Sequence, residues 1–246
     1  LAYRLIVDHE DEDYWRNYGT HRESLIAPSL AWYGDTTQVV FAYEHREFLS
    51  PFDRGTAIDP KTNHPLDIPA TRRLDEPFTN MEGRSDLYRF EADHELNDDW
   101  TAHVGYSWNR ETYDASQVRV TSVNTNGTLT RSMDGTRGAL TTDRFATASL
   151  EGNVKLGGMQ HDLVFGLDDE YRKIYRAELI RQAQRSAFSY VDPVYGNDVQ
   201  GTTVSAKDSA QTDLLRSDSL FLQDAIHLTD QWILVAGARY QMYDQY

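Results

Sequence analysis

The sequence has 246 residues, a formal net charge of -15 at pH 7 and no cysteine. A chain this acidic lacks the basic patches that nucleic-acid binding requires, so no nucleic-acid partner is expected. The lack of cysteine excludes a disulfide framework and thiolate metal sites. The sequence also contains no run of 18 apolar residues, which excludes a transmembrane helix but not a membrane-spanning strand.

The first residues, "LAYRLIV", already resemble a strand and are followed by the acidic run "DHEDEDYW" at 8–15. Its carboxylates are the hard oxygen ligands that calcium prefers. The run lacks the glycine and the distal glutamate of an EF-hand, so we predict a solvated loop. Because both ends of the chain lie within strand patterns, we expect the sequence to be a fragment.

Short turns and long polar segments alternate along the remaining chain. Turn signals occur at residues 33–37, 96–100, 155–162 and 228–232. Long segments rich in Gly, Pro, Asn, Asp, Ser and Arg are predicted as loops at 49–83, 110–139 and 176–214. All short turns therefore fall at one end of a predicted antiparallel sheet and all long loops at the other. This asymmetry is typical of outer-membrane β-barrels, which have short periplasmic turns and long extracellular loops.

The segments beside the turns alternate between apolar and polar residues, the pattern of strands with two different faces. In "DDWTAHVGYSWN" (98–109), Trp100 and Trp108 lie about 27 Å apart along a strand, a length that fits the apolar band of a bilayer. Arg239 falls on the opposite, polar face, which we expect to line a wet lumen. The predicted lipid-facing residues are Val39, Phe41, Tyr43, Trp100, Ala102, Val104, Tyr106, Trp108, Leu163, Phe165, Leu234, Ala236 and Ala238.

Five stretches carry a resemblance to a known family: "APSLAWYGDTT", "PFDRGTAID", "RRLDEP", "HELNDDWTAHVGYSWNRETYD" and "LFLQDAIHLTDQWILVAGARYQMYDQY". They resemble TonB-dependent ferric-siderophore receptors, of which those for ferrichrome and related hydroxamates are the most similar. The resemblance implies an all-β fold, with residues 1–246 supplying about nine strands of a 22-stranded transmembrane barrel and no plug domain. It also implies a Gram-negative outer-membrane location, a ferric siderophore as the transported ligand, and contact with the TonB complex through the plug.

Ligand contact is predicted at the loop end of the polar face. Alternation from Trp100 places Tyr113 highest on its strand, and Phe48 has the matching place on strand 38–48. Tyr190 and Tyr195 lie on a later loop and are candidates to close over the ligand. An aromatic ring with a hydroxyl group suits a bulky, oxygen-rich iron chelate. The alternative is a purely structural role, in which these rings only pack the loops together.

Other motifs support no catalytic or resident metal site, so no enzyme and no bound cofactor is expected. The segments "PFDRGTAID" and "RRLDEP" are interpreted as internally paired loops, with an anion-binding patch of Arg54, Arg72 and Arg73 as the alternative. "NTNGT" (124–128) is predicted as a tight turn rather than a glycosylation site.

Two other function classes stay open. An outer-membrane barrel enzyme such as a lipase or protease would need a nucleophile and a base, and the only nearby pair is Ser107 and His103. These residues lie about 13 Å apart along one strand, too far for a hydrogen bond. A soluble carbohydrate-binding β-sandwich is the other alternative.

Overall fold

The structure is a computed structural model that describes residues 1–246, and all of its regular elements are β-strands. It contains no helix that could cross a membrane. The strands are β1 (Ala2–Asp13), β2 (Thr20–Tyr33), β3 (Thr37–Ser50), β4 (Asn80–Asn97), β5 (Trp100–Val123), β6 (Thr128–Leu156), β7 (Met159–Arg176), β8 (Glu178–Ile180), β9 (Phe188–Ser189), β10 (Gln211–Thr229) and β11 (Trp232–Gln245). The all-β prediction is confirmed.

Nine long strands form one antiparallel sheet in chain order, from β1 through β7 to β10 and β11. The short strands β8 and β9 pair with β6 away from this path. Each of the four predicted turns joins two neighbouring strands, so the period-two patterns located the hairpins correctly. The sheet is open at β1 and β11, as expected for part of a larger barrel.

The acidic run at 8–15 is not the solvated loop that its composition suggested. Residues 8–13 belong to β1 and pair residue by residue with the first residues of β2. Strand alternation sends Asp8, Glu10 and Glu12 to one face, and Asp11 and Asp13 to the other. No cluster of three or more metal-ligating side chains occurs in the structure.

The segment 110–139 is also not a loop. Strands β5 and β6 continue through it as a hairpin that rises above the sheet, because β4 stops pairing at Ser116 and β7 at Leu140. The hairpin closes at "NTNGT", where Gly127 has a φ of 81° and Asn126 accepts a hydrogen bond from Thr128. This is the tight turn predicted from the sequence.

The strand registers give the sheet two distinct faces, since directly paired residues point to the same side. One row of pairs runs from Val39 through Ala92, Val104, Ala148, Leu167 and Leu220 to Tyr240. Neighbouring rows bring all the residues of the predicted lipid-facing set to this same side, here called the apolar face. Rings of Tyr43, Tyr88 and Trp108 adjoin across three strands of it, with centroids 4.8 and 5.4 Å apart.

The opposite side, here called the polar face, carries paired charges. Arg239 donates hydrogen bonds to Asp168 (2.9 Å) and to Ser219 (2.7 Å). Arg172 donates one to Asp143 at 2.7 Å. Arginine is costly against lipid, so a face of this kind suits a watery lumen.

Above the sheet, the loops and the upper part of the β5–β6 hairpin fold into a compact unit, here called the loop cap: residues 14–19, 51–79, 115–136 and 177–210. Its hydrophobic core consists of Leu66, Leu74, Leu129 and Phe188. A single sheet with lipid on one face and water on the other has no buried core of its own. The hydrophobic core of this chain therefore lies in the loop cap.

Candidate functional site

The two aromatic residues predicted for ligand contact are brought together by the sheet. Phe48 of β3 pairs with Gly83 of β4, which pairs with Tyr113 of β5. A Cβ atom on Gly83 would lie 2.9 Å from Cζ of Phe48 and 2.8 Å from Cβ of Tyr113. The absence of a side chain at Gly83 therefore leaves room for the Phe48 ring and for Cβ of Tyr113 at the loop end of the polar face.

Charged residues surround this aromatic pair. Arg46 lies over the Phe48 ring, 5.0 Å from its centroid, and donates hydrogen bonds of 2.8 and 2.7 Å to the carboxylate of Glu23. Glu111 projects from the same face two residues before Tyr113. The pattern of β3 placed Arg46 on this face, but its partner Glu23 could not be identified before the register with β2 was known.

A cleft of about 470 Å³ is lined in part by Phe48, Gly83 and Tyr113. Its other lining residues include Glu47 and Arg84. These two are opposite each other in the strand register and belong to the side of the sheet opposite the two rings. We therefore assign the cleft to the outward side of the sheet and not to the candidate ligand site.

Two buried ion-pair networks hold the loop cap together. Arg131, on the β5–β6 hairpin, donates hydrogen bonds to Glu76 (2.5 Å) and Asp198 (2.9 Å), and its guanidinium lies 3.8 Å from the centre of the Phe188 ring. Arg73 donates a 2.5 Å hydrogen bond to Asp75. Burial raises the pKa of the Asp75 carboxyl, although hydrogen bonding and the charge of Arg73 act to lower it.

Tyr190 and Tyr195 both lie in this cap. Tyr195 donates a hydrogen bond to the carbonyl of Arg73 (2.9 Å) and packs edge-on against Tyr18, with centroids 4.9 Å apart. Burial raises the pKa of the Tyr18 and Tyr195 hydroxyls. Tyr190 packs against the core of the cap. Their contacts in the structure are those of rings that pack loops together.

The arginines of the proposed anion-binding patch have partners within the chain. Arg73 is fully buried, Arg72 donates to the carbonyls of Tyr190 and Val191, and Arg54 donates to Gln117 at 2.6 Å. These contacts favour the interpretation of internally paired loops.

A further buried pair joins Arg16 of the first loop to Asp53 of the second at 2.8 Å. Burial acts to raise the pKa of the Asp53 carboxyl. Hydrogen bonds from Arg16 and from the backbone N–H of Gly55, with the charge of Arg16, outweigh that effect and hold the pKa below its usual value. Neither Arg16 nor Asp198 carried a sequence signal that marked it out.

The contacts of His103 do not form a catalytic constellation with Ser107. Its Nδ1 lies 2.7 Å from Asp93 and its Nε2 lies 3.4 Å from Glu151. The imidazole is thus held between two carboxylates on neighbouring strands, and no bond joins it to the Ser107 hydroxyl.

Comparison with protein families gives a match to the model for the TonB-dependent receptor-like β-barrel over residues 22–246. The metal-pseudopaline receptor CntO of Pseudomonas aeruginosa strain UCBPP-PA14 is 27% identical over 251 residues, which cover 100% of this chain and 34% of that receptor. The chain thus spans about a third of the length of this relative.

Solved structures show the same fold. The ferric preacinetobactin receptor BauA from Acinetobacter baumannii aligns with a TM-score of 0.82 at 16% identity, covering 99% of this chain and 37% of BauA. The ferric-catecholate import receptor Fiu from E. coli K12, in its open form, aligns with a TM-score of 0.80 at 16% identity, covering 98% of this chain and 40% of Fiu. All three of these proteins are receptors, in agreement with the prediction that the chain is not an enzyme.

Proposed function

Because this chain belongs to the TonB-dependent receptor-like β-barrel family, we propose that it forms part of the wall of an outer-membrane receptor that imports ferric siderophores. Proteins of this family reside in the outer membrane of Gram-negative bacteria. Residues 1–246 would be one segment of the barrel domain. A plug domain outside this segment would make the contact with the TonB complex.

The observation that carries the proposal is the separation of the two faces. The apolar face carries all the residues predicted to meet lipid, from Val39 of β3 to Leu234 of β11. Arg239 and Arg172, with their carboxylate partners, lie on the other side, where a wet lumen would solvate them. A soluble carbohydrate-binding sandwich would bury its apolar face against a second sheet, and this chain has only one main sheet.

Ligand capture would occur at the loop end of the polar face, where Phe48 and Tyr113 flank Gly83. Aromatic faces with nearby hydrogen-bonding groups suit a chelate that wraps its metal in organic oxygens. Tyr190 and Tyr195 would contribute by shaping the loop cap. The named relatives take pseudopaline, catecholate and preacinetobactin complexes, so the hydroxamate class rests on the sequence resemblance alone.

Uptake of radioactive iron tests the function. A host strain without its own siderophore receptors would express the full-length receptor that contains this chain and would be supplied with ferric hydroxamate and ferric catecholate chelates. We expect uptake of at least one chelate above that of the empty host, and its loss in a host without TonB. Equal uptake in the presence and absence of the receptor, for every chelate, would overturn the proposal.

A further inference from the structure

The upper polar face is lined by carboxylates around the aromatic pair. In the register, Glu10 pairs with Glu23, and Glu23 pairs with Phe48. The next row toward the turns runs from Asp8 through Leu25, Arg46 and Ser85 to Glu111. The acidic run of β1 thus joins the two rings and Glu111 on one wall. Glu44 stands in the row below.

On strands β1 to β5, Arg46 is the only lysine or arginine in these three rows, and Glu23 already holds it in a two-pronged ion pair. Glu10 contacts His21 at 3.6 Å. Asp8, Glu44 and Glu111 form no ion pair within the chain. The wall therefore keeps uncompensated negative charge around Phe48 and Tyr113.

The unpaired carboxylates of this wall lie at the loop end of strands β1 to β5. One row closer to the turns, Arg4 and Arg89 lie on the same face, at either side of Ser29 and Ala42. Farther along the sheet, Arg172 and Arg239 pair with carboxylates. A ligand that descends from the loops therefore meets the negative zone first.

We propose that this wall selects iron chelates that carry no net negative charge. The inference rests on the proposed function and names the substrate class of the same site. The rings of Phe48 and Tyr113 supply the contact, and the surrounding carboxylates supply a negative electrostatic field that acts on the ligand. Hydroxamate groups carry one negative charge each, so three of them neutralise Fe³⁺. Three doubly charged catecholates leave the complex strongly anionic, and the wall repels it.

The test uses one ferric tris-hydroxamate in three forms that differ only in a peripheral group: an ammonium, an amide or a carboxylate. Their dissociation constants would be measured on the full-length receptor in detergent, at low and at high salt. We expect the carboxylate form to bind at least roughly tenfold more weakly than the ammonium form at low salt. High salt should reduce this difference in dissociation constant, because the Debye length falls to about 3 Å at 1 M.

The double variant Glu10→Gln with Glu111→Gln removes two carboxylates without leaving an arginine unpaired. At low salt, this variant should show a smaller difference in dissociation constant between the ammonium and carboxylate forms. The matched control is Glu95→Gln, on the same face but about 40 Å from Gly83 along β4. This control should leave the difference in dissociation constant unchanged.

Equal or tighter binding of the carboxylate form would overturn the inference and leave the proposed function intact. If no form binds while receptor-dependent iron uptake persists, the inference alone fails. If uptake is absent as well, the proposed function fails with it.

Discussion

Arg131 donates a 2.5 Å hydrogen bond to Glu76 across 55 positions of sequence, and neither side chain is more than 1% exposed. Asp198 accepts a second hydrogen bond from the same guanidinium, so three separate segments of the loop cap meet at one buried cation. A charge buried this deeply is tolerated only while its partners are in place. The long loops are therefore built as one folded unit.

Replacing Arg131 with Met should open the loop cap. The change leaves Glu76 and Asp198 as buried carboxylates without their cation, a loss that typically costs about 3–5 kcal/mol. We expect the loops of the full-length receptor to be cut by protease much faster, while the barrel keeps its heat-dependent gel mobility. Arg22→Gln removes an exposed pair with Asp11 and should change the cleavage rate little. Equal protection of the Arg131 variant and the parent would contradict this account.

The pair of Arg16 and Asp53 should make part of the cap sensitive to acid. The pKa of Asp53 is lowered in the folded protein, so its stabilising effect is present above the unfolded value of about 3.9 and is lost as the pH falls through the lowered pKa. We expect the stability difference between the parent and Asp53→Asn to be largest near neutral pH and to shrink below about pH 4. Local hydrogen exchange of residues 14–19 measures it. A difference that stays constant down to strongly acidic pH would show that the Asp53 charge plays no part.

The lipid-facing assignment can be tested at two adjacent residues. Val104 lies on the apolar face, and an arginine there should cost about 2–4 kcal/mol if it sits at the bilayer midplane. The control is His103→Arg, which points to the polar face and meets Asp93 and Glu151. Unfolding by urea in lipid vesicles gives both values. A near-neutral Val104→Arg would argue against lipid contact on this face.

The hairpins were predictable because their determinants are local. A period-two pattern such as that from Trp100 to Trp108 fixes which side each residue takes, and a turn such as 228–232 fixes where the chain reverses. The observed strand registers pair residues that the pattern had assigned to the same face.

The loop cap was not predictable in the same way. Its contacts join residues as distant as Arg72 and Val191, and nothing in the local sequence of either one indicates the other. Composition also misled at two places. Residues 8–13 and 110–139 have the polarity of loops, but a strand that lines water on one face, or rises above a membrane, needs no apolar alternation. Because residues 8–13 were predicted as a loop, the sequence alone did not place their carboxylates on the wall of the sheet.

The last prediction concerns Gly83, the residue between Phe48 and Tyr113. A Cβ atom at this position would lie 2.4 Å from the carbonyl oxygen of Thr112, which belongs to the backbone and cannot move aside by rotation. It would also press on the Phe48 ring and on Cβ of Tyr113, so β5 or the Phe48 ring must shift. Overpacking of this kind typically costs about 1–3 kcal/mol.

Gly83→Ala should therefore weaken binding of a ferric chelate by about tenfold or more, equivalent to about 1.4 kcal/mol, as should Tyr113→Ala and Phe48→Ala. Gly105→Ala is the matched control on the same face, since its Cβ atom would meet only a methyl group of Thr147, at 2.9 Å, which can rotate away. Dissociation constants from ligand quenching of tryptophan fluorescence would compare the four variants with the parent receptor. If Gly83→Ala, Tyr113→Ala and Phe48→Ala all bind like the parent while the barrel is folded, these aromatic residues are not the ligand site, and capture must depend on other loops or on the plug.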